Sequence, residues 1–183
     1  MASSIEQVQK QSVKMPDGVT ATLKGRQLLV KGKLGEVTKD FDKVNVNISV
    51  ANNEVEFMPF SEKRKDNVVM NTVLSLIHNM VTGVTKGYTY RLKIVYAHFP
   101  ISVKTKGDQI LVENFVGERS PRVAKIVGNC KVTVEGDDIV VKGVSLEDVG
   151  QTSANVEQAT KIKRKDQRIF LDGIYIYHKE RGW

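Results

Sequence analysis

Val19-Thr20-Ala21-Thr22-Leu23-Lys24-Gly25-Arg26-Gln27-Leu28-Leu29-Val30 and Ile101-Ser102-Val103-Lys104-Thr105-Lys106-Gly107-Asp108-Gln109-Ile110-Leu111-Val112 are one stretch written twice, 82 positions apart. Lys24, Gly25, Gln27, Leu29 and Val30 recur identically as Lys106, Gly107, Gln109, Leu111 and Val112. The same offset lays Gly35-Glu36 on Gly117-Glu118, and after a gap of two residues Ile48, Val50, Val55 and Phe57 fall on Val132, Val134, Ile139 and Val141. A register kept this long marks a duplicated supersecondary unit, and a period of this kind sets the domain organisation before anything else is read. The expected fold is α+β: two tandem duplicated domains, residues 1–85 and 86–183, each a small antiparallel sheet packed with one helix.

The elements follow from residue type and period. Val19, Ala21 and Leu23 alternate with Thr20, Thr22 and Lys24, the period of two of a half-buried strand. Gly25-Arg26 and Gly107-Asp108 then sit where a two-residue hairpin loop is needed, and Gly in first place suits a type II′ turn. Asn52-Asn53 and Asp137-Asp138 are the expected turns of a second hairpin in each copy, because Asn and Asp tolerate positive φ. From residue 63 to 82 the period changes: Val69, Val73, Leu76, Ile77, Met80 and Val84 recur at helical spacing, with Ser61 as expected N-cap and Gly83 as C-cap. Ser145-Leu146-Glu147-Asp148 opens a second, less apolar helix with a near capping box. Along residues 87–97, Tyr88, Tyr90, Leu92, Ile94 and Tyr96 share one strand face, and Thr89, Arg91, Lys93, Val95 and Ala97 the other.

Of 183 residues, 40% are hydrophobic, which suffices for a packed core and excludes wholesale disorder. The apolar residues are not expected to supply the roughly 18 consecutive positions of a membrane span. Met1-Ala2-Ser3-Ser4-Ile5-Glu6 carries no basic start and no apolar core of a secretory signal, so a cytoplasmic location is expected. Cys130, the single cysteine, excludes an intrachain disulfide and a multi-thiolate metal site, and reads as a small hydrophobe.

Chemistry-bearing constellations are sparse. His78, His98 and His178 lack metal-ligand spacing. Nucleophile elbows, Walker loops and dinucleotide fingerprints are absent from the sequence. Gly32-Lys33-Leu34-Gly35 joins strands instead of opening a helix, so it is no phosphate cradle. The carboxylates read as turn and surface residues. No enzyme activity, cofactor, metal or small-molecule substrate is expected.

The net charge of +7 points to a polyanionic partner. Residues 1–85 contribute +2 and residues 86–183 contribute +5. Lys161, Lys163, Arg164, Lys165 and Arg168 place five cations in eight residues, followed by the apolar, aromatic stretch Ile169–Tyr177. A charge run is ordinarily a solvated face, but an anchored one holds its side chains in place to neutralise phosphates and release counterions. Arg119, Arg122 and Lys125 extend this candidate RNA-binding surface, with Arg91 and Lys93 as weaker members. For His98, Tyr175 and Tyr177 an RNA contact and a packing role are both open. On these residues alone the competing classes are an RNA-binding structural protein, a free-standing RNA chaperone, and a protein-interaction module whose charge maintains solubility.

Three long segments now point to a family: Tyr88-Thr89-Tyr90-Arg91-Leu92-Lys93-Ile94-Val95-Tyr96-Ala97-His98-Phe99-Pro100, Val149-Gly150-Gln151-Thr152-Ser153-Ala154-Asn155-Val156-Glu157-Gln158-Ala159-Thr160, and Phe170-Leu171-Asp172-Gly173-Ile174-Tyr175. With Met80–Gly87 and Asn114-Phe115-Val116-Gly117-Glu118, they resemble the large-subunit ribosomal protein six family, ninth in the eukaryotic numbering, in the wording of its archaeal and eukaryotic branch. The resemblance runs from about residue 13 to 178 and suggests an archaeal source. It implies a structural constituent of the large subunit whose C-terminal domain grips large-subunit ribosomal RNA near the sarcin-ricin loop and the translation-factor site. The implied partners are that RNA and neighbouring ribosomal proteins, with the chain a monomer within the ribosome and no membrane contact. The chain departs from the family at Gly32-Lys33-Leu34-Gly35, where Gly-Pro-x-Gly is frequent, and at Arg122-Val123, where paired arginines are common.

Overall fold

Gly25 and Gly107 make the turns that their lack of a Cβ permits, with φ of 64° and 58°, while Arg26 and Asp108 stay at negative φ, as a type II′ turn requires. The computed structural model describes residues 11–51, 53–60, 64–163, 165–166 and 168–183. The chain divides into two compact units, Met1–Thr85 and Lys86–Trp183.

The first unit contains β1 (Gln11–Lys14), β2 (Thr20–Lys24), β3 (Gln27–Gly32), β4 (Gly35–Asp40), β5 (Val46–Ala51), β6 (Glu54–Pro59) and α1 (Arg64–Thr85). These strands form two antiparallel three-stranded sheets, β1-β6-β5 and β2-β3-β4, and α1 packs on both. The single sheet expected per repeat is thus two, because one sheet of six twisted strands would leave much of its face uncovered by a single helix. Leu28, Val30, Val55 and Phe57 meet Met70, Val73, Ile77, Met80 and Val84 in the buried core.

Gly83 does not cap α1. The helix continues to Thr85, and the left-handed residue that follows is Gly87, with φ of 79°. Gly83 is buried within the last turn. The expected cap Ser61 lies outside the described residues, as does Asn52 of the expected turn, while Asn53 is left-handed with φ of 61°. The turn Lys33-Leu34 docks on the end of α1: the Leu34 N–H donates to the Val84 carbonyl at 3.1 Å, satisfying one of the helix's last acceptors. A Cβ on Gly32 would stand 2.8 Å from the Val84 side chain and carbonyl, so this close approach requires glycine. Val68–Thr85 does reach the length and mean hydropathy, 1.3, of a membrane span, contrary to the sequence expectation. Met70, Val73, Ile77, Met80 and Val84 are gathered on one buried face against the unit's own sheets, while Val68 is exposed.

In the second unit β7 (Tyr88–Val95), β8 (Ser102–Lys106), β9 (Gln109–Glu113), β10 (Arg122–Lys125), β11 (Lys131–Glu135) and β12 (Asp138–Gly143) precede α2 (Leu146–Ala159) and β13 (Gly173–Glu180). They form the sheets β10-β9-β8 and β11-β12-β7-β13. The β11–β12 turn is Gly136-Asp137, one residue earlier than the expected Asp137-Asp138. Gly136 takes φ of 62° at no steric cost, and Asp138 opens β12 opposite Glu135. The strand around residues 87–97 lies inside the four-stranded sheet, between β12 and β13. Tyr88, Leu92 and Ile94 join Ile110, Val112, Phe115, Ile139, Val141, Val149, Val156 and Ile174 in one core. Thr152 and Ser153 of α2 are buried, so its small residues serve packing.

Candidate nucleic-acid interface

The site begins with the two ends of α2. Ser145 caps the start, its side chain accepting from the Asp148 N–H at 3.2 Å. At the other end Thr160 Oγ1 donates to the Val156 carbonyl at 3.2 Å and accepts from the Ile174 N–H at 3.1 Å, tying the helix exit to β13. Between Thr160 and Ile174 runs the basic segment. Ile162 is buried within it, while Lys161, Lys163, Lys165 and Arg168 are exposed. Arg164 lies outside the described residues.

The far end is pinned as firmly. The Phe170 N–H donates to the Asp166 carbonyl at 3.0 Å, and Lys165 Nζ stands 4.7 Å from the centroid of the Phe170 ring. Buried Asp172 accepts from the Ala97 N–H at 2.7 Å. The Asp166 carboxylate accepts from the Arg168 N–H at 2.9 Å and pairs with the Arg168 guanidinium at 3.3 Å, and these bonds hold the Asp166 carboxyl below its ordinary pKa. The described residues of the cluster therefore belong to a segment anchored at both ends, with the cationic tips of Lys161, Lys163, Lys165 and Arg168 exposed.

β10 lies beside the start of this loop. Arg122 is the joint: its Nη1 donates to the carbonyls of Ala159 at 2.9 Å and Lys161 at 3.1 Å. Its Nε and Nη2 donate to the two oxygens of Glu118 at 2.8 and 2.6 Å, a bidentate pair. Asn155 Nδ2 donates to the Lys125 carbonyl at 2.8 Å, a second tie between α2 and β10. Arg119 and Lys125 are exposed. Arg91 and Lys93 lie instead on β7, on the face that bears Tyr175 and His178 across the β13 register. Lys93 Nζ pairs with Asp138 at 3.3 Å, and Arg91 is half-buried. His98, Tyr175 and Tyr177 are all exposed. Sequence reasoning missed the bonds of Arg122 to its own chain; Glu118 and Arg122 lie on no helix, so their spacing of four carried no signal.

Arg122 hydrogen bonds pull the Glu118 carboxyl below its usual pKa, burial opposes this, and the Arg122 and Lys165 charges add to the lowering. A depressed carboxylate contributes stability above its unfolded value of about 4.3 and loses it as pH falls through the lower folded value. Carboxyl titration by NMR should therefore place the Glu118 midpoint below that of an unpaired Glu, and Arg122→Gln should raise it. An unmoved midpoint in that variant would contradict the pairing.

The comparisons with known proteins agree with this architecture. The family described as Ribosomal protein L6 matches residues 15–87 and 99–173, once in each repeat. The large ribosomal subunit protein uL6 of Methanobrevibacter smithii is 44% identical over 171 residues, covering 93% of this chain and 96% of that one. Its counterpart in Ignicoccus hospitalis is 46% identical over 173 residues, 92% and 93% of the two chains. That of Saccharolobus solfataricus is 46% identical over 172 residues, 93% and 95%. Matched in both repeats and along nearly its full length, the chain belongs to the ribosomal protein L6 family, in its archaeal branch, and so is a structural protein of the large subunit of the cytoplasmic ribosome rather than an enzyme.

Proposed function

We propose that the second unit binds large-subunit ribosomal RNA through the anchored loop after α2, near the sarcin-ricin loop and the translation-factor site that the family resemblance implies. Lys161, Lys163, Arg164, Lys165 and Arg168 neutralise phosphates, Arg119 and Lys125 extend the surface along β10, and Arg91 and Lys93 contribute from β7. The first unit faces neighbouring ribosomal proteins or solvent. The carrying observation is that Lys161, Lys163, Lys165 and Arg168 are exposed on a segment fixed at both ends, by the Arg122 bonds to Ala159 and Lys161 and by Asp172. Fixed cations meet a folded RNA without first losing the freedom of a loose tail.

Two measurements test this. The protein should sediment with large subunits in moderate salt; a wholly free pool would favour a free-standing RNA chaperone. Binding to a large-subunit RNA fragment should weaken with salt at about −0.9 in the log-log slope per duplex phosphate neutralised. Lys163→Ala, Arg164→Ala and Lys165→Ala together should then flatten the slope by up to about 2.7. An unchanged slope would remove the cluster from the interface.

A further inference from the structure

Arg122 looks from sequence like one more cation of the basic surface, but its side chain is turned onto its own chain and is 24% exposed. Four of the five guanidinium N–H groups are engaged, on both oxygens of Glu118 and on the carbonyls of Ala159 and Lys161. The Cζ of the group stands over the Phe115 ring, 4.2 Å from its centroid. The turn carrying Phe115 and Glu118 is itself unusual: Asn114, Val116 and Gly117 take φ of 58°, 52° and 75°. Left-handed backbone at a β-branched residue such as Val116 persists only where its surroundings over-determine it. That turn sets an aromatic face under the guanidinium and a carboxylate beside it.

A planar fork can hold a carboxylate and two carbonyls together, whereas a lysine ammonium is a point charge without that geometry. The held carbonyls belong to the residues where the chain leaves α2 and the exposed lysines begin. We infer that Arg122 is a positioning residue: it fixes the exit of α2 against β10 so that Lys161, Lys163 and Lys165 are ordered before RNA arrives, and it neutralises no phosphate itself. The inference rests on the RNA-binding reading above and assigns a division of labour within it. Preordering moves affinity, because ordering the loop no longer has to accompany binding. The salt slope counts only phosphates neutralised in the complex, so it stays where it was.

The test uses the full chain and a large-subunit RNA fragment, titrated at several salt concentrations. Arg122→Gln and Arg122→Lys should each weaken binding about tenfold at fixed salt, the cost of ordering one or two long side chains, with an unchanged slope. In a Lys163→Ala/Lys165→Ala background, Arg122→Gln should lower affinity by much less than in the wild type, since the two sites act as one unit. Amide exchange at Thr160 and Lys161, whose N–H groups close the last turn on Val156 and Gln158, should quicken in both single variants while β7 and β12 stay protected. Arg122 would instead be a phosphate contact if Arg122→Lys bound like wild type and Arg122→Gln lost about 0.9 from the slope. Unchanged exchange at Thr160 and Lys161 would also overturn the inference. Wild-type protein without salt-dependent RNA binding would remove the RNA reading and this inference with it, a result distinct from either of those.

Discussion

Phe115→Ala is expected to destabilise the second unit by about 3–5 kcal/mol, the range for deleting a fully buried aromatic ring. The ring is 1% exposed and packs in the core with Ile110, Val112 and Val149. The Arg122 Cζ stands 4.2 Å from the ring centroid, so the ring serves both the core and the arginine. The same substitution removes the surface on which Arg122 rests, and RNA affinity should fall together with stability. Phe115→Leu separates the two effects. It restores most of the buried volume but not the aromatic face, so stability should largely return while the Arg122 contact stays weakened. Denaturant unfolding checks the first figure, and a loss below about 1 kcal/mol would mean the ring is not the core element described.

Phe57→Ala is the matched experiment in the first unit. Phe57 is fully buried in β6, and about 3–5 kcal/mol is again expected. Here RNA affinity, measured where the variant remains folded, should stay within about twofold of wild type, because Phe57 belongs to the other compact unit with a core of its own. Exchange of amides in β3 and β6 should rise while those of β7 and β12 hold. A tenfold fall in affinity would place the first unit in the RNA contact and contradict the assignment of that role to the second.

The elements were legible wherever a local rule decides. Gly25 and Gly107 turned as a Gly-initiated hairpin must, Ser145 capped α2, and Tyr88, Leu92 and Ile94 buried one face of β7. Reading failed where two local options compete and packing chooses. Gly83 is a plausible helix stop, yet a buried glycine inside a helix is affordable when Val84 beyond it is needed in the core. Asp137-Asp138 and Gly136-Asp137 are both acceptable turns; the register Glu135 to Asp138, with Asp138 set against Lys93, selects the second. In the site, the exposed lysines were visible as a charge run, whereas the use of Arg122 was not, since the Ala159 and Lys161 carbonyls lie 37 and 39 residues away in the chain.

By itself the sequence determined the duplication, the α+β class, the helices and hairpins, the family and the basic character of the second repeat. Each of these is carried by residue type, period or motif within a short window. The tertiary structure alone decided that each repeat splits into two sheets, that the cationic loop is fastened at both ends, and that one arginine among the cations faces inward. Those outcomes depend on backbone acceptors and buried rings brought together from distant parts of the chain, and a carbonyl that a guanidinium will find leaves no mark on the residue that bears it.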